Sequence, residues 1–192
     1  MTGPAAEPIS VAELRQWCAI ESDRWDDQLA RHITAARQYL TPLCGPLVNE
    51  THDVYFAGWP IGDALPMPGD LVSVSAFEWT VAAETTSSWT VSGTNLQLSS
   101  VTQAKVETGT PAAIRLVKYK MWPSGVLGSG WPIRVRAVIG RGAAGANVPE
   151  PLRHAVAMLA AHLFENREAI TDSRAVKVPW GVDRLISEYR HA

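Results

Sequence analysis

Several groupings in this chain carry the residue types that chemistry needs, but not the spacing. Gly140-Arg141-Gly142-Ala143-Ala144-Gly145 matches G-x-G-x-x-G and follows a predicted strand. A dinucleotide site needs the next helix to start inside that motif, so that its free amides meet the pyrophosphate. Here Asn147 and the Pro149/Pro151 pair delay the helix, and no second parallel strand brings a ribose-binding acid. The segment is expected to be a flexible strand-to-helix linker, with no cofactor. His162, Glu165 and the following Asn166 come one residue short of the inverted zinc-protease pattern H-x-x-E-H. Zinc needs three protein ligands. His154 and His162 share a helical face but stand more than two turns apart, so they read as packing residues and no metal is expected. Ser124-Gly125 and Ser129-Gly130, between Trp122-Pro123 and Trp131-Pro132, form a run of turns and not a nucleophile elbow. Asn49-Glu50-Thr51 is a glycosylation sequon that matters only after export. No catalytic residue emerges, and the chain is not expected to be an enzyme.

The elements that would position a site are clearer. Ser10 and Glu13 form a capping box, with Ile9 and Leu14 as its hydrophobic staple. They start a short helix that ends near Ala19. A second helix starts at Ser22 or Asp23. Asp26 and Asp27 suit the positive end of its dipole, Trp25, Leu29, Ile33, Ala36 and Leu40 recur at helical spacing, and Pro42 with Gly45 stops it. From Thr51 to Gly140 the period falls to two, predicting strands at 53–57, 71–79, 89–92, 95–98, 114–120 and 133–139. Turns are expected at Ser92-Gly93-Thr94 and Ser87-Ser88. In the last strand Ile133, Val135, Ala137 and Ile139 face the core while Arg134 and Arg136 face away. After Pro149, the spacing of Leu152, Ala155, Val156, Leu159, Ala160 and Leu163 predicts a long amphipathic helix. A polar loop at 170–174 follows, and Val182, Leu185, Ile186 and Tyr189 make a closing helix.

The fold class expected is therefore α+β: a four-helix core from an N-terminal pair (9–46) and a C-terminal pair (148–190), decorated by an inserted antiparallel β module (51–140). All 192 residues are read as one domain. Hydrophobic residues make up 46% of the chain and charged ones 19%, which excludes a disordered chain. No basic stretch leads into an apolar run at the N-terminus, and no apolar run reaches the roughly 18 residues of a membrane span, so a soluble protein of the cytoplasm is expected, with no membrane partner. Cys18 and Cys44 read as free buried thiols.

Charge is spread unevenly although the net is only −2. Residues 1–100 hold 4 Lys and Arg against 12 Asp and Glu, whereas residues 101–141 hold 7 against Glu107 alone. Either acidic helices and basic strands offset each other within one fold, or an acidic face of one copy meets a basic face of the next and closes a ring. On the second reading Arg115, Lys118, Arg134 and Arg136 would face Asp26 and Asp27. Arg115, Lys118, Lys120, Arg134 and Arg136 could approach nucleic acid, but with no basic helix no sequence-specific reading is expected. Most of the eight tryptophans should be core, with one or two as interface anchors.

Residues in order along the chain resemble one family. The N-terminal half shows Asp26-Asp27, Leu29, Ala35-Ala36-Arg37, Tyr39 and Gly45-Pro46-Leu47. The middle shows Val54-Tyr55-Phe56-Ala57-Gly58-Trp59-Pro60, Leu65-Pro66-Met67-Pro68, and a late Trp-Pro at Trp122-Pro123 or Trp131-Pro132. The C-terminal third is the most specific: Val148-Pro149, Leu152-Arg153, Ala161-His162, Glu165-Asn166-Arg167-Glu168, Val178-Pro179-Trp180-Gly181-Val182 and Tyr189-Arg190. Together these resemble the head–tail connector, or adaptor, proteins of long-tailed bacteriophages and gene transfer agents. The segment from Thr80 to Thr108 matches only in texture, and the 140–145 linker is richer in glycine than that pattern. The resemblance implies a structural virion protein at the head–tail interface, or neck, made in the host bacterial cytoplasm. It implies a twelvefold ring (a dodecamer) beneath the portal, extending the DNA channel, letting genomic DNA pass without sequence-specific binding, and offering a docking surface to a stopper or tail-terminator protein. Portal contact would fall on the C-terminal helix and tail, here Trp180, Arg184, Tyr189 and Arg190. A stopper or tail-terminator subunit is the alternative within the neck. A prophage-encoded binding module or small hydrolase is the alternative of another class.

Overall fold

The structure, a computed structural model, describes residues 3–82, 85–108, 111–166 and 180–190. The chain is α+β and divides into two compact units, a strand unit built from Glu50–Gly140 and a helical unit built from Pro4–Asn49 and the chain from Arg141 onward. Four α-helices are present among the described residues: α1 (Val11–Trp17), α2 (Asp26–Cys44), α3 (Glu150–Glu165) and α4 (Trp180–Ile186). Eight strands make one antiparallel sheet: β1 (Glu50–Phe56), β2 (Ala64–Pro66), β3 (Leu71–Thr80), β4 (Thr86–Ser92), β5 (Asn95–Leu98), β6 (Val101–Glu107), β7 (Ala113–Leu116) and β8 (Ile133–Ile139). Their spatial order is β1-β8-β3-β4-β5-β6-β7-β2.

In the helical unit the capping box forms as expected. The Ser10 amide donates to Glu13 Oε2 at 2.6 Å and the Glu13 amide donates to Ser10 Oγ at 3.2 Å. The start near Ser22 is a 3-10 turn, Asp23–Trp25, that leads into α2. Pro42 lies inside the last turn of α2 and Gly45, at φ 77°, ends it. One apolar cluster draws Leu14 from α1, Leu29, Ile33 and Leu40 from α2, Leu152, Val156 and Leu159 from α3, and Val182 and Ile186 from α4. Burying each such side chain contributes about 1.5–3 kcal/mol.

The strand unit has a second core of its own, so it is more than a decoration on a helical core. Phe77, Leu96, Ile114, Ile133 and Val135 are wholly buried there. Alternation along β8 is as expected, with Ile133, Val135, Ala137 and Ile139 inward. Irregular register between β3 and β8, after Leu71 and after Val74, is the kind of bulge that curls a sheet around its contents. The sequence reading needs correction at four places. Ser87-Ser88 is not a turn but lies inside β4, opposite Trp79 and Glu78. β2 and β6 were not expected. The strand expected over 114–120 stops at Leu116, and Tyr119 has φ 67°.

Candidate functional site

Arg134 lies directly opposite Glu78 of β3 and donates to its Oε2 at 2.6 Å. Arg136 lies opposite Asp53 of β1 and holds both of its carboxylate oxygens, at 2.8 and 3.0 Å. That bidentate bond to Arg136 holds the Asp53 carboxyl below the usual carboxylate range. Arg115 bridges Glu107 and Asp63 at 3.0 and 3.1 Å. Asp26 meets Arg15 at 3.4 Å. The Lys118 ammonium sits over the Tyr119 ring, and Asp27 stands exposed in the first turn of α2. Four of the six residues expected at a subunit contact thus have an ionic partner within their own unit.

Beneath the loops of the strand unit lies an aromatic stack. Trp59 lies parallel to Trp122 with ring centroids 5.4 Å apart, Trp122 to Trp89 at 6.0 Å, and Trp89 to Phe77 at 5.0 Å. The Trp122 indole donates to the Gly62 carbonyl at 2.9 Å, tying the β7–β8 loop to the β1–β2 loop. The end of the sheet above this stack is where β1, β3, β5 and β7 finish and β2, β4, β6 and β8 begin, and Phe56 pairs with Ile133 there. The chain enters and leaves at the opposite end, where Glu50 pairs with Ile139. Of the unit's nine exposed large apolar side chains among the described residues, eight lie at the loop end, Val72 being the exception. Tyr55 and Trp131 frame a hollow of about 460 Å³ at this end.

The helical unit carries a groove of about 490 Å³ between α3 and the C-terminal helix. Pro151, His154 and Met158 line one wall, and Leu185, Arg184 and Tyr189 the other. Arg141 lies over the Tyr189 ring at 5.2 Å and donates to the Cys44 carbonyl at 3.1 Å. Of the residues expected to contact a portal, Tyr189 is therefore a half-buried wall residue. Arg184 and Arg190 are exposed, Arg190 bonded to Asp183 at 2.5 Å, and the Trp180 side chain lies outside the described residues. Arg167, Glu168, the 170–174 loop and Val178-Pro179 lie outside them as well. Next to the groove, Trp17 of α1 meets the His154 ring edge-on at 4.6 Å. Arg153 binds Glu150 at 2.7 Å, Glu13, and the Pro8 carbonyl at 3.2 Å, joining α1 to the start of α3.

The motifs that resembled chemistry resolve into structure. Asn166 donates to the His162 carbonyl at 2.9 Å and closes the end of α3. The glycine-rich linker forms a 3-10 turn at Gly145–Asn147, and α3 starts only at Glu150. A Cβ on Gly145 would lie 2.6 Å from the carbonyl oxygens of both Glu7 and Pro8, so its glycine serves a close backbone approach. No group of three or more His, Cys, Asp or Glu among the described residues could hold a metal ion.

No family model matches the chain and no curated protein matches it. Solved structures do. A chain in the virion of a native gene transfer agent (GTA) particle superposes with a TM-score of 0.75 at 20% identity, covering 100% of this chain and 94% of that one. This chain has the fold of a gene transfer agent particle protein. A chain in the neck of an empty GTA particle, computed with C6 symmetry, gives 0.72 at 22% identity over 96% and 90% of the two chains. One in the neck of a native GTA particle, computed with C12 symmetry, gives 0.69 at 22% over 95% and 88%. Since the likeness spans nearly the whole chain, the strand unit belongs to the shared fold as much as the helices do. The apolar loop end was the feature that sequence reasoning missed. Its eight exposed residues lie in or beside three connections, β1–β2, β5–β6 and β7–β8, and only strand order brings them together.

Proposed function

We propose that this chain is a structural virion protein of the neck, the head–tail adaptor of a tailed-phage-like particle. Its four-helix core would be the frame of a twelvefold ring beneath the portal that extends the DNA channel and presents a face to the stopper or tail-terminator protein. The observation that carries the reading is a fold shared with GTA neck chains over 95% or more of this chain. Two long helices, α2 of 19 residues and α3 of 16, favour an adaptor over the mostly β stopper and terminator subunits. The α3–α4 groove with Arg184, Tyr189 and Arg190 is the portal-facing surface in this reading.

Negative-stain microscopy of the purified protein, alone and mixed with the portal protein from the same source, tests it. Rings, or added density under the portal, are expected. A chain shortened to end at Lys177, which lacks α4, should lose portal binding. A protein that stays monomeric and also ignores the portal sinks the adaptor reading.

A further inference from the structure

The loop end of the strand unit has the composition of a contact surface, and it is held rigid. Ile61, Tyr119, Met121 and Trp131 are 110%, 89%, 83% and 66% exposed. Aromatic and Met side chains in this density are enriched at protein interfaces, and so much apolar surface at one spot marks an interaction site. The loops that present them do not rely on their own short sequences for shape. Trp122 pins Gly62, the Trp59–Trp122–Trp89 stack lies below, the Gly128 amide donates to the Thr80 carbonyl at 2.9 Å, and Val81 bridges to Leu127. A preformed tip loses little entropy when it binds.

Charge narrows the occupant. Residues 108–132 contain no Asp or Glu, and the nearby Asp63 is already held by Arg115. Lys118 and Lys120 are therefore the spare charges of the tip. With Arg134 and Arg136 neutralised inside the sheet, the described basic residues without an ion-pair partner on this unit are these two lysines and Lys105 of β6, and only the two lysines lie in the tip loops. On the helical unit the same accounting leaves Glu21, Asp23, Asp27, Glu165 and Glu188. All five are exposed, and among the described residues none has an ion-pair partner, whereas Asp26 meets Arg15. Three of these acids sit within seven residues of sequence at the start of α2, beside the half-buried Trp25, whereas Glu165 and Glu188 stand singly at the end of α3 and after α4.

We propose that the apolar, lysine-bearing loop end of one copy docks on the acidic start of α2 of the next copy, forming a head-to-tail contact of the ring. A surface that meets a different surface of its own kind closes into a ring when the rotation permits. This rests on the ring reading above, and it replaces a broad meeting of charged faces with two named patches.

The experiment uses the full chain in three charge-altered forms: K118E/K120E, E21K/D23K/D27K, and the two combined. All substituted positions are at the surface or half-buried, and circular dichroism confirms folding. Ring formation, alone and on the portal, is read by negative stain, and subunit association by mass photometry. Each one-sided variant should weaken self-association by about tenfold or more, and the combined variant should restore it, because the attraction returns with its signs exchanged. Rings that form equally well from every variant overturn the tip contact while leaving the ring reading intact. A wild-type chain that forms no ring even on the portal overturns both. Unchanged rings, together with binding to phosphatidylserine vesicles that K118E/K120E abolishes, would assign the tip to a lipid surface and overturn the self-contact.

Discussion

Gly145 is set by contact, since any side chain there would drive into the Glu7 and Pro8 carbonyls. Gly145→Ala is expected to destabilise the helical unit by about 1–3 kcal/mol, because the backbone must shift to admit the methyl group. Urea denaturation followed by helical circular dichroism measures it. Glu13 gives a pH-dependent counterpart. The Ser10 backbone amide, with help from its hydroxyl and from Arg153, holds the Glu13 carboxyl below the usual carboxylate range. A depressed folded value means that the stabilisation is complete above the unfolded value and is lost as pH falls through the folded one. Glu13→Gln should cost about 0.5–1 kcal/mol at neutral pH, a modest loss for an exposed carboxylate. The difference from wild type should shrink in acid and vanish once Glu13 is protonated, and a gap that persists there would contradict the assignment. The capping box itself was legible because its residues are three apart. The partners of Arg134 and Arg136 were not, since Glu78 and Asp53 lie 56 and 83 residues away and only strand register brings them opposite.

Among the elements, helices were read well because their signal is local: caps, a 3.6-residue stripe and a stop. Strands with clear punctuation were read too, such as β5 after Gly93 (φ 58°). β6 was missed because its turn is disguised. Ser99 and Ser100 have φ 49° and 67° between the paired residues Leu98 and Val101, which is the geometry that Asn-Gly normally fills. Without glycine or asparagine there, nothing in the sequence announced a hairpin. S99N/S100G is accordingly expected to stabilise the strand unit by about 1 kcal/mol, by replacing two residues that pay for left-handed backbone. A thermal melt that does not rise would contradict that turn geometry. Ser87-Ser88 misled in the opposite sense, as turn formers held in β4 by pairing with β3.

For the whole molecule, net charge and its cancellation bear on the proposed channel role. The chain carries −2 overall, and several of its arginines already have carboxylate partners. Each phosphate neutralised by Lys or Arg adds salt-dependent affinity, which a conduit for DNA must avoid. Fluorescence anisotropy with duplex DNA at physiological salt should therefore show binding no tighter than the nonspecific range of about 10⁻⁶ M. Tight retention of DNA would argue against a channel role.

The indole rings of Trp59, Trp122 and Trp89, with Trp122 5.4 Å from Trp59 and 6.0 Å from Trp89, have a spectroscopic consequence. Chromophores so close couple their excited states, and a fixed arrangement of coupled chromophores imparts a paired positive and negative band to the far-ultraviolet circular dichroism. The strand unit thus holds a built-in optical gauge at the base of its loop end. Any contact that displaces the two tied loops changes the mutual angle of those rings and alters the band, so assembly can be followed in solution without attaching a dye.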